Sequence, residues 1–311
     1  MNPWLKTVFA AAGAGALLAA PAMAEKVADV PYAAYQRGQY LTAFREALES
    51  AQKGNAAAQT LLGELYWRGL GIPRDRSQAV WWYSQAAVAG NREAQFALGL
   101  ALVRGEGTTK DKKKGAGWFE AAAAKGHVEA HYNLALLYLE GDVRPHDVKK
   151  AAELFEFAAE RKHPESEYNL AQLYAAGSGV GRDLAKAAEL MQRAAEQNLP
   201  IAEVEYGLML FRGEGVPADE ERAAAIFRSA AERGNPVAQN RLARLYAEGR
   251  GVERDPVEAV KWHYLARDNG ASDPWLDAFA ASLDDEVRRD AQERAGNWFN
   301  GLIGGLAGVG F

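Results

Sequence analysis

Thirty-six residues separate each glycine in the series Gly69, Gly105, Gly141, Gly177, Gly213 and Gly249 from the next. The same interval separates Asp75, Asp111, Asp147, Asp183, Asp219 and Asp255. Six blocks, starting at Gly54, Gly90, Gly126, Lys162, Asn198 and Gly234, therefore share one plan with no insertion or deletion. A fixed period in the range of about 20 to 50 residues marks a repeat architecture, because each unit buries its apolar face only against copies of itself.

Within a block the apolar residues fall at helical spacing twice. In the last block Ala238, Leu242, Leu245 and Tyr246 lie on one helical face, and Ala259, Trp262 and Ala266 repeat the pattern after a break. The break, GRGVERDP, is built of turn formers. Its glycine, at position 15 counted from zero, suits the left-handed site just past a helix end. The aspartate at position 21 suits the N-cap of the second helix, with Pro256 in that helix's first turn. Small residues recur at position 9 (Gly63, Gly99, Ala135, Ala171, Gly207, Ala243) and at position 32 (Ala86, Ala122, Ala158, Ala194, Ala230, Ala266), where two such helices would touch. One block is helix, loop, helix, and the fold class is all-α.

These blocks resemble the Sel-like repeats, relatives of the tetratricopeptide repeats. The resemblance rests on AQTLLGELYWRGLGIPRD (58–75), AHYNLALLYLEGDVRPHD (130–147) and AQNRLARLYAEGRGVERD (238–255), and it covers residues 54–269. Val143 at position 17, and Leu154, Leu190 and Ile226 at position 28, depart from the usual glycine and tryptophan. The resemblance implies an α-solenoid, a right-handed superhelix of about seven stacked helix pairs.

Residues 1–24 read as a secretory signal peptide: one lysine, an apolar run, then Pro21-Ala22-Met23-Ala24 before a cut. The apolar run is short of the roughly 20 residues a membrane span needs. The expectation is an exported, periplasmic protein, with no cysteine to carry a lipid anchor or disulfides. Removing Lys6 with the leader leaves 35 basic against 41 acidic side chains, a formal −6, which lacks the footprint of a nucleic-acid binder. Residues 25–53 look like an N-terminal capping segment and 270–298 like a C-terminal one. In the latter, Pro274, Trp275, Ala278 and Phe279 suit a first helix. The uncharged tail 299–311 carries five glycines, which argues against a stable helix there. At 13 residues it is too short to cross a bilayer but could touch one.

No catalytic constellation converges. Ser50-Ala51-Gln52-Lys53 spells S-x-x-K without its S-D-N and K-T-G companions. His127 and His131 are four apart, but the string is H-V-E-A-H and no third zinc ligand accompanies it. The Gly-x-Gly pairs follow helices and lack Gly-Lys-Ser/Thr. Neither a metal nor a cofactor is expected.

What the family resemblance offers is a concave surface lined by the first helix of each pair. That would present Trp67, Phe96, Leu100, Tyr132, Leu136, Tyr168, Leu208 and Phe211 as apolar contacts, with Val103, Leu139 and Val204 beside them. Asn133 and Asn169 add amides, Glu93, Glu129 and Glu165 an acidic row, and Arg68, Arg104 and Arg212 a basic one. Such a groove suits an extended or helical peptide. The expected function is a non-catalytic exported adaptor for a partner protein or peptide, in envelope regulation or assembly. The alternatives are an enzyme of cell-wall or β-lactam chemistry and a membrane-associated complex subunit that makes contact through 299–311.

Overall fold

In the computed structural model, which describes residues 30–307 and the side chains of 31–298, all regular structure among the described residues is helical, in sixteen helices. The leader 1–24 lies outside the described residues. The chain divides into two compact units, Met1–Asn169 and Leu170–Phe311. The first holds α1 (Val30–Gln36), α2 (Tyr40–Gln52), α3 (Ala56–Arg68), α4 (Arg76–Val88), α5 (Arg92–Arg104), α6 (Lys112–Ala123), α7 (Val128–Glu140) and α8 (Val148–Ala159). The boundary falls within α9 (Pro164–Ala176). The second holds α10 (Leu184–Glu196), α11 (Pro200–Arg212), α12 (Glu220–Glu232), α13 (Pro236–Glu248), α14 (Pro256–Asp268), α15 (Pro274–Ala281) and α16 (Asp285–Ala307). Each repeat is thus one helix pair, as its two apolar stripes predict.

The loop between the helices of a pair is stitched the same way in every repeat. The first helix ends on a left-handed glycine, as at Gly69 (φ 72°, ψ 39°), whose N–H donates to the Leu65 carbonyl. The chain then returns, and the aspartate N–H donates to the carbonyl three residues before that glycine. Asp75 reaches Tyr66 at 3.0 Å, Asp111 reaches Leu102 at 2.8 Å and Asp219 reaches Leu210 at 2.9 Å. The same aspartate's carboxylate caps the second helix: Asp147 Oδ1 accepts from Lys150 N at 2.9 Å and Asp255 Oδ1 from Val257 N at 2.9 Å and Glu258 N at 3.0 Å. The residue before the aspartate adds a bond that the sequence reading missed. Arg74, Arg182 and Arg254 donate Nε, and His146 donates Nδ1, to a carbonyl of the last turn of the first helix. A cation at that end also complements the helix dipole.

Ring-over-small-residue contacts set how closely the paired helices approach. A Cβ on Gly63 would strike the Tyr83 ring, one on Gly99 the Phe119 ring, and one on Gly207 the Phe227 ring. Tyr83, Phe119, Phe155 and Phe227 are each at most 2% exposed, and the alanines of positions 9 and 32 are buried with them.

Three departures from the sequence reading have local causes. Val143 stands where sister loops use a left-handed glycine, and that position does without the conformation: among the described residues the left-handed ones outside glycine are Lys162 (φ 61°) and Asn198 (φ 62°). In the C-terminal segment α15 stops after eight residues and buries Leu276 and Ala280, leaving Trp275 and Ala278 exposed rather than in a first-helix core. Trp275 stacks instead on Phe279, four residues on, at 5.7 Å. Finally, the backbone of α16 stays helical through Ala307, across glycines expected to end it. Extending a formed helix costs far less than nucleating one. Its earlier turns are supported by the Arg294–Asp290 pair and by Ala291 and Ala295, which are buried.

Two substitutions test this backbone logic. At Gly215 (φ +76°) a Cβ would drive into the Leu184 carbonyl, whereas at Gly234 (φ +85°) nothing lies within 4 Å. Gly215→Ala is expected to cost more than about 3 kcal/mol and Gly234→Ala about 1 kcal/mol, read by denaturant unfolding. Lys162→Gly relieves a left-handed side chain and is expected to stabilise by about 1 kcal/mol.

Candidate functional site

The first helices of the repeats carry the residues singled out from the sequence, and most of them are consumed by packing. Trp67, Phe96, Leu100, Tyr132, Leu136, Tyr168 and Asn169 are all less than a tenth exposed. Each ring fills the space between its repeat and the next element. Trp67 lies 6.3 Å from Tyr83, Phe96 lies 5.7 Å from Phe119 and 4.5 Å from His127, and Tyr132 lies 5.9 Å from Phe155 and 4.8 Å from His163. Burial, and then the Glu165 charge, push the Tyr132 phenol up to about 12. Asn133 and Asn169 turn their Nδ2 back onto the carbonyls of Glu129 and Glu165, each at 2.7 Å. Of the apolar and amide residues predicted to line the groove, Val103, Asn133, Leu208 and Phe211 keep partial exposure.

The acidic row of the first unit forms a connected seam. His127 Nε2 donates to Glu93 Oε2 at 2.9 Å, while its Nδ1 lies 3.3 Å from Ala130 N and 3.2 Å from Glu129 Oε2. One repeat on, His163 Nδ1 lies 3.2 Å from Ser166 N and 3.6 Å from Glu165 Oε2. Burial lowers the His163 pKa against the pull of Glu165 and Glu129. Burial opposes ionisation of Glu93 as well, but His127 and Arg92 hold its carboxyl below the ordinary range. His131 does not join His127 as a ligand pair. Its Nδ1 is on the His127 carbonyl at 2.8 Å and its ring stacks on Phe157 at 3.6 Å. Among the described residues no group of three or more side chains could hold a metal ion. Lys53 of the S-x-x-K string pairs with Glu49 at 2.7 Å.

In the second unit a cleft of about 220 Å³ is lined by Gln192, Glu203, Tyr206, Arg222, Ile226 and Arg233 among others. Its polar groups answer one another: Tyr206 donates to Gln192 at 3.0 Å, Arg233 pairs with Glu203 at 2.5 Å, and Arg222 lies 5.5 Å over the Tyr206 ring. The neighbouring face is less self-contained. Leu208 and Phe211 of α11 are half-buried, and Arg250 covers the Phe211 ring at 4.0 Å. Burial raises the Glu205 pKa, against the charges of Arg212 and Arg241. The Nε of Arg241 is buried without an acceptor. Arg244 grips Asp273 with two bonds of 2.7 Å and lies 4.9 Å over Trp275, which is 42% exposed. The sequence pattern placed Leu208 and Phe211 here but gave no sign of Arg241, Arg244 or Trp275, because arginines at these positions are peculiar to this repeat.

The six-fold pattern matches the model of the Sel1 repeat at residues 56–91, 92–127, 128–163, 164–199, 200–235 and 236–270. Among solved structures, the chain is similar to a protective antigen present in uropathogenic Escherichia coli strains that displays an SLR fold. The TM-score is 0.77 at 28% identity, over 96% of this chain and 64% of the antigen, so the chain spans under two thirds of that protein's length. It is also similar to a Sel1 repeat protein from Oxalobacter formigenes, with a TM-score of 0.68 at 27% identity, over 80% of this chain and 100% of that one. A comparison with curated proteins finds none that matches.

Burial alone would raise the Asp273 pKa, but Arg244, Asn240 and the Leu276 N–H hold it at about 2. A carboxylate depressed below its ordinary value of about 3.9 contributes stability that is complete above pH 4 and drains as pH falls toward 2. Asp273→Asn is expected to remove roughly 2 kcal/mol of acid-sensitive stability over that window, read by unfolding at pH 2, 3, 4 and 6.

Proposed function

The chain belongs to the Sel1 repeat family, whose members are generally protein–protein interaction scaffolds, and from that premise we propose that it is an exported, non-catalytic adaptor for a partner protein or peptide. Export rests on the character of residues 1–24, which favours a periplasmic location and a role in envelope regulation or assembly. Among the described residues no helix is long and apolar enough to cross a membrane.

The observation that carries the reading is the α11–α13–α15 face of the second unit. Elsewhere on the first helices the aromatic rings are spent on packing. Here Leu208, Phe211 and Arg241 keep partial exposure, and Trp275 stands exposed beside Arg244. Aromatic and arginine side chains with residual exposure are the usual anchors of protein interfaces. A matching peptide would bring a carboxylate to Arg241 and an apolar side chain to Leu208.

A photo-cross-linking residue placed at 208 in intact cells tests this, with exposed Ala225 of α12 as the control site. The expected result is a discrete adduct with one polypeptide from position 208, reduced about tenfold by Arg241→Ala with the melting temperature unchanged. The same adducts from 208 and 225 would overturn the proposal.

A further inference from the structure

The N-cap of a first helix is asparagine in three of the six repeats and Leu199, which makes no side-chain bond, in a fourth. Asn55, Asn91 and Asn235 accept the N–H of Ala58, Ala94 and Ala238 through a side-chain oxygen. In two consecutive repeats of the first unit the position is instead histidine, and His127 and His163 accept the N–H of Ala130 and Ser166 through Nδ1. An amide oxygen accepts at any pH a protein tolerates. An imidazole nitrogen accepts only while it carries no proton.

That same nitrogen has a carboxylate beside it in both repeats, Glu129 Oε2 at 3.2 Å from His127 and Glu165 Oε2 at 3.6 Å from His163. Nδ1 therefore has mutually exclusive roles: a neutral ring accepts the helix N–H, and at His163 it also meets the Ser166 hydroxyl at 3.0 Å, whereas a protonated ring donates to the glutamate. We infer that His127 and His163 are acid-operated catches on the first turns of α7 and α9, in which a proton on Nδ1 transfers each imidazole from the backbone N–H it caps to the neighbouring glutamate.

Charged groups surround both imidazoles. His127 faces Glu93 of α5, itself paired with Arg92, Glu129 of α7, and His131 one turn on. His163 faces Glu165 of α9, and Glu129 and the Tyr132 ring of α7. His131 faces Arg161 and Lys150. At His163 the two glutamates favour the proton and burial disfavours it. At His163, and at His131, burial prevails and the folded pKa lies below the ordinary imidazole value. For His163 the sign follows: the opened chain takes the proton first, so protection at its helix start is complete above about pH 6.5 and is lost as pH falls below that value. Both imidazoles act through the two helix starts they cap, and this inference is independent of which partner the second unit binds.

Native-state hydrogen exchange on the full chain at pH 7.5 and 5.5, corrected for intrinsic exchange, reads the catches directly. Protection at the Ala130 and Ser166 amides is expected to fall roughly tenfold at pH 5.5 relative to the asparagine-capped Ala58, Ala94 and Ala238 amides. His127→Asn/His163→Asn is expected to abolish that difference while keeping protection at pH 7.5. His131→Gln, which restores the residue of Gln59, Gln95 and Gln239, is expected to leave it. The inference is overturned if histidine-capped and asparagine-capped amides respond alike to acid. It is equally overturned if the double variant retains the drop, or if His131→Gln removes it.

Discussion

One aspartate per repeat joins the two helices of that repeat, and the stacking of the chain depends on it. Its N–H closes the end of the first helix while its carboxylate opens the second, as at Asp75, which bonds back to Tyr66 and forward to Ser77 and Gln78. Six such junctions fix the spacing at which Tyr83, Phe119, Phe155 and Phe227 meet the small residues of position 9. Without a constant junction the rings would fall out of step with the glycines, and neighbouring pairs could not share a core.

The helix pairs, their glycine ends and their aspartate starts were all legible in the sequence, because each follows from a strong local preference repeated six times. The guanidinium caps from Arg74, Arg182 and Arg254 were not, because a single arginine in a polar loop carries no local signal of the carbonyl it will reach. Trp275 was misplaced for a related reason. Its spacing to Ala278 and Phe279 is helical, but spacing alone does not say which face meets the core, and α15 buries Leu276 and Ala280 instead.

The candidate site was legible in outline only. Position-by-position reading found the first-helix faces, yet it could not tell a ring offered to a partner from one pressed against the next repeat. Phe96 and Tyr132 are of the second kind, held by His127 and His163, and Phe211 sits between the two, half-buried under Arg250. What distinguishes them is the neighbour one repeat away. The substitutions that break the pattern carry the individuality of this chain: histidine for asparagine at two caps, and arginines with an exposed tryptophan in the last repeats. The repeats supply the frame, and chemistry enters where they differ.

The central claim is that these carboxylates act as helix caps rather than as one more set of surface charges. Equilibrium unfolding of single Asp→Ala and Asp→Asn variants at 111, 147, 183 and 219 tests it most directly. If the account holds, each alanine costs about 1 kcal/mol and each asparagine, which keeps the acceptor oxygen and loses the charge, only a few tenths. Equal costs for the two substitutions would mean that charge and not capping matters, and would contradict it.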